Sequence, residues 1–189
     1  MNEITLNIPH LTPQQFDEIC HANRDLRLER NATGEVVIMP PAPSLTGKQN
    51  FGIIGQLGAW IEITNLGYGF DSSTGFTLPN GAVKSPDVSW VSNERWEALT
   101  ETQQKSEFSP LAPDFAVELR SSTDTLKKLR EKMQEYLDNG TRLCWLIDPI
   151  QKQVEIYRPG QKVETLASPN TVSGEDILPG FVLNLNQIW

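Results

Sequence analysis

At 189 residues the chain suits one domain, taken as residues 1–189, and a domain of that size buries roughly 70% of its unfolded surface, so its core needs no staple. A net charge of -8 and a pI near 4.8 argue against a sequence-independent duplex binder working through a broad basic surface, although they leave room for a local basic groove. Only His10 and His21 are available to a histidine-rich metal centre, Cys20 and Cys144 stand apart, and neither a membrane-length apolar run nor a signal core is present, which together predict a reduced, cytoplasmic chain whose metal, if any, sits on oxygen.

In chain order, Thr12-Pro13-Gln14-Gln15 has the form of a capping box with proline at the first helical position, and opens a short helix through Phe16, Ile19 and Cys20. Residues 26–30 and 35–39, joined by the turn 31–34, predict a hairpin. Glu35 reads as an exposed charge at a strand start, with a place in the site as the alternative. After the break at residues 40–43, Thr46-x-x-Gln49 predicts the cap of a longer helix reaching about Leu66. Phe51, Ile54, Gly58 and Ile61 form one stripe on it and Ile53, Leu57 and Trp60 another, while Gly52, Gly55 and Gly58 each cost about 0.8–1 kcal/mol relative to alanine. Both stripes therefore require close cover, one by the sheet and the other by the N-terminal hairpin or a second subunit. A homodimer is expected on this ground.

Residues 67–71 predict a strand, and 76–78 and 82–91, around Asn80-Gly81, a hairpin. Pro86 cannot donate to a ladder, so it marks an edge or irregular position just before Asp87. Residues 94–99 suggest a short helix within a polar region, up to Pro113, that has the character of a flap. Residues 112–149 read as strand, helix, strand. Phe115, Val117 and Leu119 alternate with Ala116, Glu118 and Arg120, which predicts one packed face and one charged face. Ser121, Ser122, Thr123 and Asp124 offer N-caps, and Leu126, Leu129, Met133, Tyr136 and Leu137 recur at helical spacing until Asn139-Gly140. Residues 143–147 are apolar on both faces, as in a strand buried on both sides. This βαβ unit is expected at the centre of the fold. Residues 154–158 pair back onto it, residues 163–166 follow a Pro159-Gly160 turn, and 181–183 form a last apolar stretch. Asp148 reads as a strand terminator and Asp71 as a loop or strand-end acid, with a place at a metal as the alternative.

Asp87 and Glu118 then fall on neighbouring strands. Paired carboxylates make a hard oxygen site that suits Mg2+ or Mn2+ with water and substrate phosphate, and a nearby cation offsets the charge that builds on a phosphate under attack by water. From the residues alone, Glu118 with Arg120 reads equally as a structural ion pair, Lys132 as a solvated helix lysine and Pro86-Asp87 as a turn.

Pro86-Asp87 and Glu118-Leu119-Arg120 resemble the PD and (D/E)XK elements of the PD-(D/E)XK nuclease superfamily, with arginine at the lysine position. "PDVSWV", "FAVELRSSTD", "EKMQEYLDNG" and "LCWLIDP", in that order, are similar to a large bacterial family of restriction-endonuclease-like proteins, over roughly residues 31–157. The resemblance implies an α/β restriction-endonuclease-like core with a mixed central β-sheet flanked by helices, plus the N-terminal helix and hairpin. It implies a Mg2+-dependent endodeoxyribonuclease acting on DNA, with Asp87, Glu118 and the Leu119 carbonyl at the metal. Its lysine has moved to the following helix, where Lys132 matches and Lys128 is the second choice; Lys132 borders the apolar stripe, so its stem can cross the packed edge. Arg120 stays protonated near neutral pH, so it can clamp phosphate but cannot act as a base. The alternative is a catalytically inactive interaction protein on the same scaffold, which the net acidity and Arg120 favour.

Overall fold

The computed structural model describes residues 3–189. In chain order it contains β1 (Ile4–Leu6), α1 (Pro13–Ala22), β2 (Arg27–Arg30), β3 (Val36–Met39), α2 (Ser44–Thr64), β4 (Gly67–Asp71), β5 (Gly75–Thr77), β6 (Val83–Lys84), β7 (Val88–Ser92), α3 (Asn93–Glu97), α4 (Glu101–Gln104), β8 (Phe108–Ser109), β9 (Phe115–Leu119), α5 (Leu126–Asp138), β10 (Leu143–Asp148), β11 (Gln153–Tyr157), β12 (Glu164–Ala167), β13 (Thr171–Ser173) and β14 (Val182–Asn184). No helix among the described residues is long and apolar enough to cross a membrane.

The mixed sheet expected around residues 112–149 has the order β12-β11-β10-β9-β7-β4. β9 and β10 run parallel with Glu118 opposite Leu146, and α5 supplies the crossover that parallel neighbours require. On one face Phe115, Val117, Leu119, Trp145 and Ile147 pack against Ile53, Leu57 and Trp60 of α2. On the other, Ala116, Cys144 and Leu146 pack against Met133 and Tyr136 of α5 and Phe76, Leu78 and Ala82. The expectation of one packed and one charged face on β9 is thus corrected: all five of its residues are buried, Glu118 included. Helices on both faces leave no solvent side.

A second six-stranded sheet, β1-β3-β2-β6-β5-β8, is larger than the isolated hairpin expected at the N-terminus. The predicted return arm at 82–91 divides between the two sheets: β6 pairs with β5 and β2, whereas β7 pairs with β4 and β9. The chain changes sheet at Ser85-Pro86-Asp87, because proline has no N–H for either ladder. The flap region is two short helices and β8, with a capping box at Thr100 and Gln103.

Two predicted caps move. α2 starts at Ser44, so Thr46 and Gln49 lie inside it and are buried, and α5 is capped by Thr125, while Asp124 accepts the Ser121 N–H. The C-terminal segment, which was not among the expected covers, packs along α2: Gln49 donates to the Ile188 carbonyl at 2.6 Å, Gln56 exchanges bonds with the Asn184 backbone, and the Trp60 indole donates to the Pro179 carbonyl at 3.0 Å.

The glycines separate close packing from open space. A Cβ on Gly67 would lie 2.2 Å from the Val91 carbonyl and within 2.7 Å of the Trp90 ring, whereas one on Gly58 meets nothing within 4 Å. Gly67→Ala is expected to lower unfolding stability by about 2 kcal/mol or more, and Gly58→Ala to raise it by about 0.5–1 kcal/mol. Urea unfolding of the two variants checks this; equal effects would contradict the packing of β4 on β7.

Candidate active site

Asp87 stands where the chain enters the central sheet. The register that pairs Val88 with Val117 sets Asp87 opposite Glu118 and, two pairs out, Pro86 opposite Leu119, so the Leu119 carbonyl faces a residue with no N–H to give. The Leu119 N–H donates instead to Asp87 Oδ2 at 2.9 Å, and Asn50 of α2 donates to Oδ1 at 3.2 Å. Asp87 is thus held from the strand beside it and from the helix behind the sheet.

Glu118 points to the opposite face from Leu119, towards α5. Tyr136 donates its O–H to Glu118 Oε1 at 3.1 Å, and Lys132, one turn earlier on the same helix face, places Nζ 2.7 Å from that oxygen. The same ammonium is 2.9 Å from Glu29 Oε1 of β2 and 3.3 Å from the Ser85 carbonyl. Glu29 also accepts the Ser85 N–H at 3.0 Å, and Lys84 lies 3.7 Å from its other oxygen while bonding Asn31 Oδ1 at 2.7 Å and approaching Glu135 at 3.3 Å. The second sheet thereby reaches the lysine of α5 and the backbone just before Asp87. Glu29, Lys84, Ser85, Asp87, Glu118 and Lys132 line a cleft of about 1050 Å³.

Burial dominates the titration of the acids. It pushes the Glu118 carboxyl up to about 8, with Lys132 pulling the other way and Asp87 and Glu29 adding to the rise. It also raises Asp87, against the Leu119 N–H and Lys132. For Glu29 burial is outweighed by Lys132 and Lys84, which leave it below its ordinary value. Lys132 is likewise raised, because attraction to Glu118 and Glu29 exceeds the burial that would lower it. Three acids, Glu29 and Glu118 buried and Asp87 partly buried, thus face two lysines, Lys84 buried and Lys132 nearly so, an acid excess that suits a bound cation.

The donors fit a hard divalent ion. No three acidic, histidine or cysteine side chains among the described residues converge to form a metal cage. Mg2+ commonly needs only one or two carboxylates and keeps water and substrate oxygen for the rest. Asp87 and Glu118 supply the carboxylates, and Asn50 Oδ1, buried without a hydrogen-bond partner, is a further hard oxygen beside Asp87.

A family model described as "Uma2: Putative restriction endonuclease" matches residues 13–186. The chain belongs to the Uma2 family. It is also similar to the crystal structure of "a putative nuclease belonging to DUF820" from Anabaena variabilis ATCC 29413, with a TM-score of 0.77 and 19% identity over 94% of this chain and 97% of that one. At that identity the likeness is one of fold, and it bears out the nuclease-like α/β architecture. No curated protein matches the chain.

In this Uma2 chain Asp87, Glu118 and Lys132 line one cleft, with Leu119 beside Asp87, but Arg120 does not join them. Its N–H follows β10, donating to the Ile147 carbonyl at 2.9 Å, and its guanidinium lies 2.7 Å from Asp148 Oδ2. The expected Glu118–Arg120 pair is therefore replaced by Glu118–Lys132 and Arg120–Asp148. Lys128 pairs with Glu3, Asp71 caps Ser73, and Glu35 is held by Asn31 and Thr33. Sequence reasoning missed Glu29, Lys84 and Asn50 and took Tyr136 for core alone. Arg27 and Glu29 alternate with Leu28, a pattern that reads as a solvent face unless the strand is known to be interior to a sheet.

A raised Glu118 sets a direction for stability. Its contribution is fully present below the unfolded value of 4.5 and is lost as pH rises through about 8. In chelator, Glu118→Gln is therefore expected to gain stability over wild type progressively across that interval, by up to about 1.4 kcal/mol per pH unit. Urea titrations at several pH values read the difference. Parallel curves for the two proteins would show that Glu118 ionises in the folded state as it does in the unfolded one.

Proposed function

We propose that the chain is a divalent-metal-dependent endonuclease that hydrolyses DNA phosphodiester bonds. The observation that carries this reading is the meeting of Asp87, Glu118 and Lys132 in one cleft, in a chain of the Uma2 family. Bound there, Mg2+ or Mn2+ would supply Lewis-acid activation of water and neutralisation of phosphate charge. Asp87, Glu118 and the Leu119 carbonyl would hold it. Leu119 N–H and Asn50 fix the Asp87 carboxylate, and Tyr136 fixes Glu118, so neither acid must reorganise when substrate arrives. Lys132 serves as the phosphate cation: its Nζ donates to a non-bridging oxygen as charge builds, while Glu29 keeps it in the cleft. Arg120 is tied to Asp148 and serves the strand end. The buried thiols Cys20 and Cys144 accord with a cytoplasmic place.

The second reading, an inactive interaction protein on this scaffold, is favoured by one observation. Lys132 already bridges Glu118 and Glu29, which neutralises the acid a metal would need.

Metal response separates the two. Manganese should raise the melting temperature of wild type, since a ligand bound only to the native state adds about 2.7 kcal/mol at a hundredfold excess over Kd, and Asp87→Asn or Glu118→Gln should abolish the shift. Lys132→Ala should keep the shift yet lower DNA cleavage by about 10²–10³, whereas Arg120→Ala should lose more stability than activity. No metal shift in wild type would favour the interaction protein. Cleavage unchanged by Lys132→Ala and lost with Arg120→Ala would return the phosphate role to Arg120.

A homodimer belongs to the same proposal. Of the two predicted stripes of α2, that of Ile53, Leu57 and Trp60 is buried within the chain, whereas the other leaves Phe51 77% exposed, and Ile63 at 85% and Leu45 extend the exposed apolar surface. Light scattering should give twice the mass of 21.2 kDa, and Phe51→Glu should return the monomer. A wild-type monomer would leave this face to solvent.

A further inference from the structure

The cations of the cleft are not equally free. Arg27, Lys84, Lys128 and Lys132 line it. Lys84 is engaged by Glu29, Glu135 and Asn31, Lys128 by Glu3, and Lys132 by Glu29, Glu118 and the Ser85 carbonyl. Among the described residues the Arg27 guanidinium has neither an acid nor a hydrogen-bond acceptor. Yet it is not a loose surface side chain. Arg27 is half-buried on β2, two residues before Glu29, and so projects from the same face of the strand as the acid that holds Lys132 and the Ser85 N–H. It lines the same cleft as Asp87 and Glu118.

We infer that Arg27 is the cleft's phosphate-binding arginine, taking a phosphate of the nucleic-acid backbone beside the Asp87–Glu118 site. The inference rests on the nuclease reading and adds to it a substrate contact from the second sheet. A guanidinium presents five N–H donors in a planar fork that fits two oxygens of one phosphate, and a half-desolvated fork without acceptors gains most when such a ligand arrives. A lysine at this place would keep the charge and lose the fork. With its other cations held by acids, the cleft of this acidic chain has Arg27 as its open anion contact, so binding should depend on it strongly.

The test uses the full chain and a short fluorescein-labelled DNA duplex in calcium, with anisotropy read over a series of salt concentrations. Arg27→Gln is expected to weaken binding about tenfold and to flatten the slope of log affinity against log salt by about 0.9, the loss of one phosphate contact. Arg27→Lys should retain the slope but not the full affinity. The manganese-induced melting shift should persist in both, since Asp87 and Glu118 are intact, and this readout also confirms that each variant folds. Wild-type affinity and slope in Arg27→Gln, with wild type itself binding and cleaving DNA, would overturn the assignment and leave the nuclease reading standing. Wild type that neither binds nor cleaves DNA would overturn both.

Discussion

The buried ammonium of Lys132 is the interaction on which the site depends. An unpaired ammonium in this position would cost several kcal/mol, and the fold meets that cost with Glu118 at 2.7 Å and Glu29 at 2.9 Å. Those two acids belong to different sheets, β9 in one and β2 in the other, and Lys132 belongs to the helix that crosses between β9 and β10. One charge therefore ties together three elements, β2, β9 and α5. The same arrangement leaves Glu118 with an alternative to Lys132, since Glu29 can keep the lysine when a cation takes Glu118.

The second constraint is proline. Pro86 cannot enter a ladder, so the chain leaves one sheet after Lys84 and joins the other at Val88. Asp87 falls in the gap, and the Leu119 N–H that would have bonded a strand bonds its carboxylate. Proline leaves the Leu119 carbonyl without a ladder donor, and the Leu119 N–H holds the acid. Ser85, on the other side of the proline, is gripped through its N–H by Glu29. The two acids thus hold the same short crossover from its two ends.

Much of this was legible in the residues. The βαβ unit, the β2–β3 hairpin, the pairing of β10 with β11 and the adjacency of Asp87 to Glu118 follow from local periodicity and from one proline, which are short-range signals. What failed was long-range. Glu29 sits in a strand whose charged residues look solvated until β6 pairs alongside, and Asn50 sits in a helix read only for its apolar stripes. Arg120 shares parity with Glu118, but β9 ends at Leu119 and its side chain follows β10 to Asp148. The cover of α2 came from the last residues of the chain, whose weak strand pattern gave no hint of where they pack. The α2 cap moved three residues, from Thr46 to Pro43, and the α5 cap moved to Thr125, just past a run of equally suitable Ser, Thr and Asp residues.

The measurement that bears most directly on the account is a crystal structure with manganese, read by anomalous scattering at the manganese edge. The account predicts one strong peak in contact with both Asp87 and Glu118, with Lys132 Nζ remaining on Glu29. A peak at other acids, or none while Lys132 still bridges Glu118 and Glu29, would contradict it.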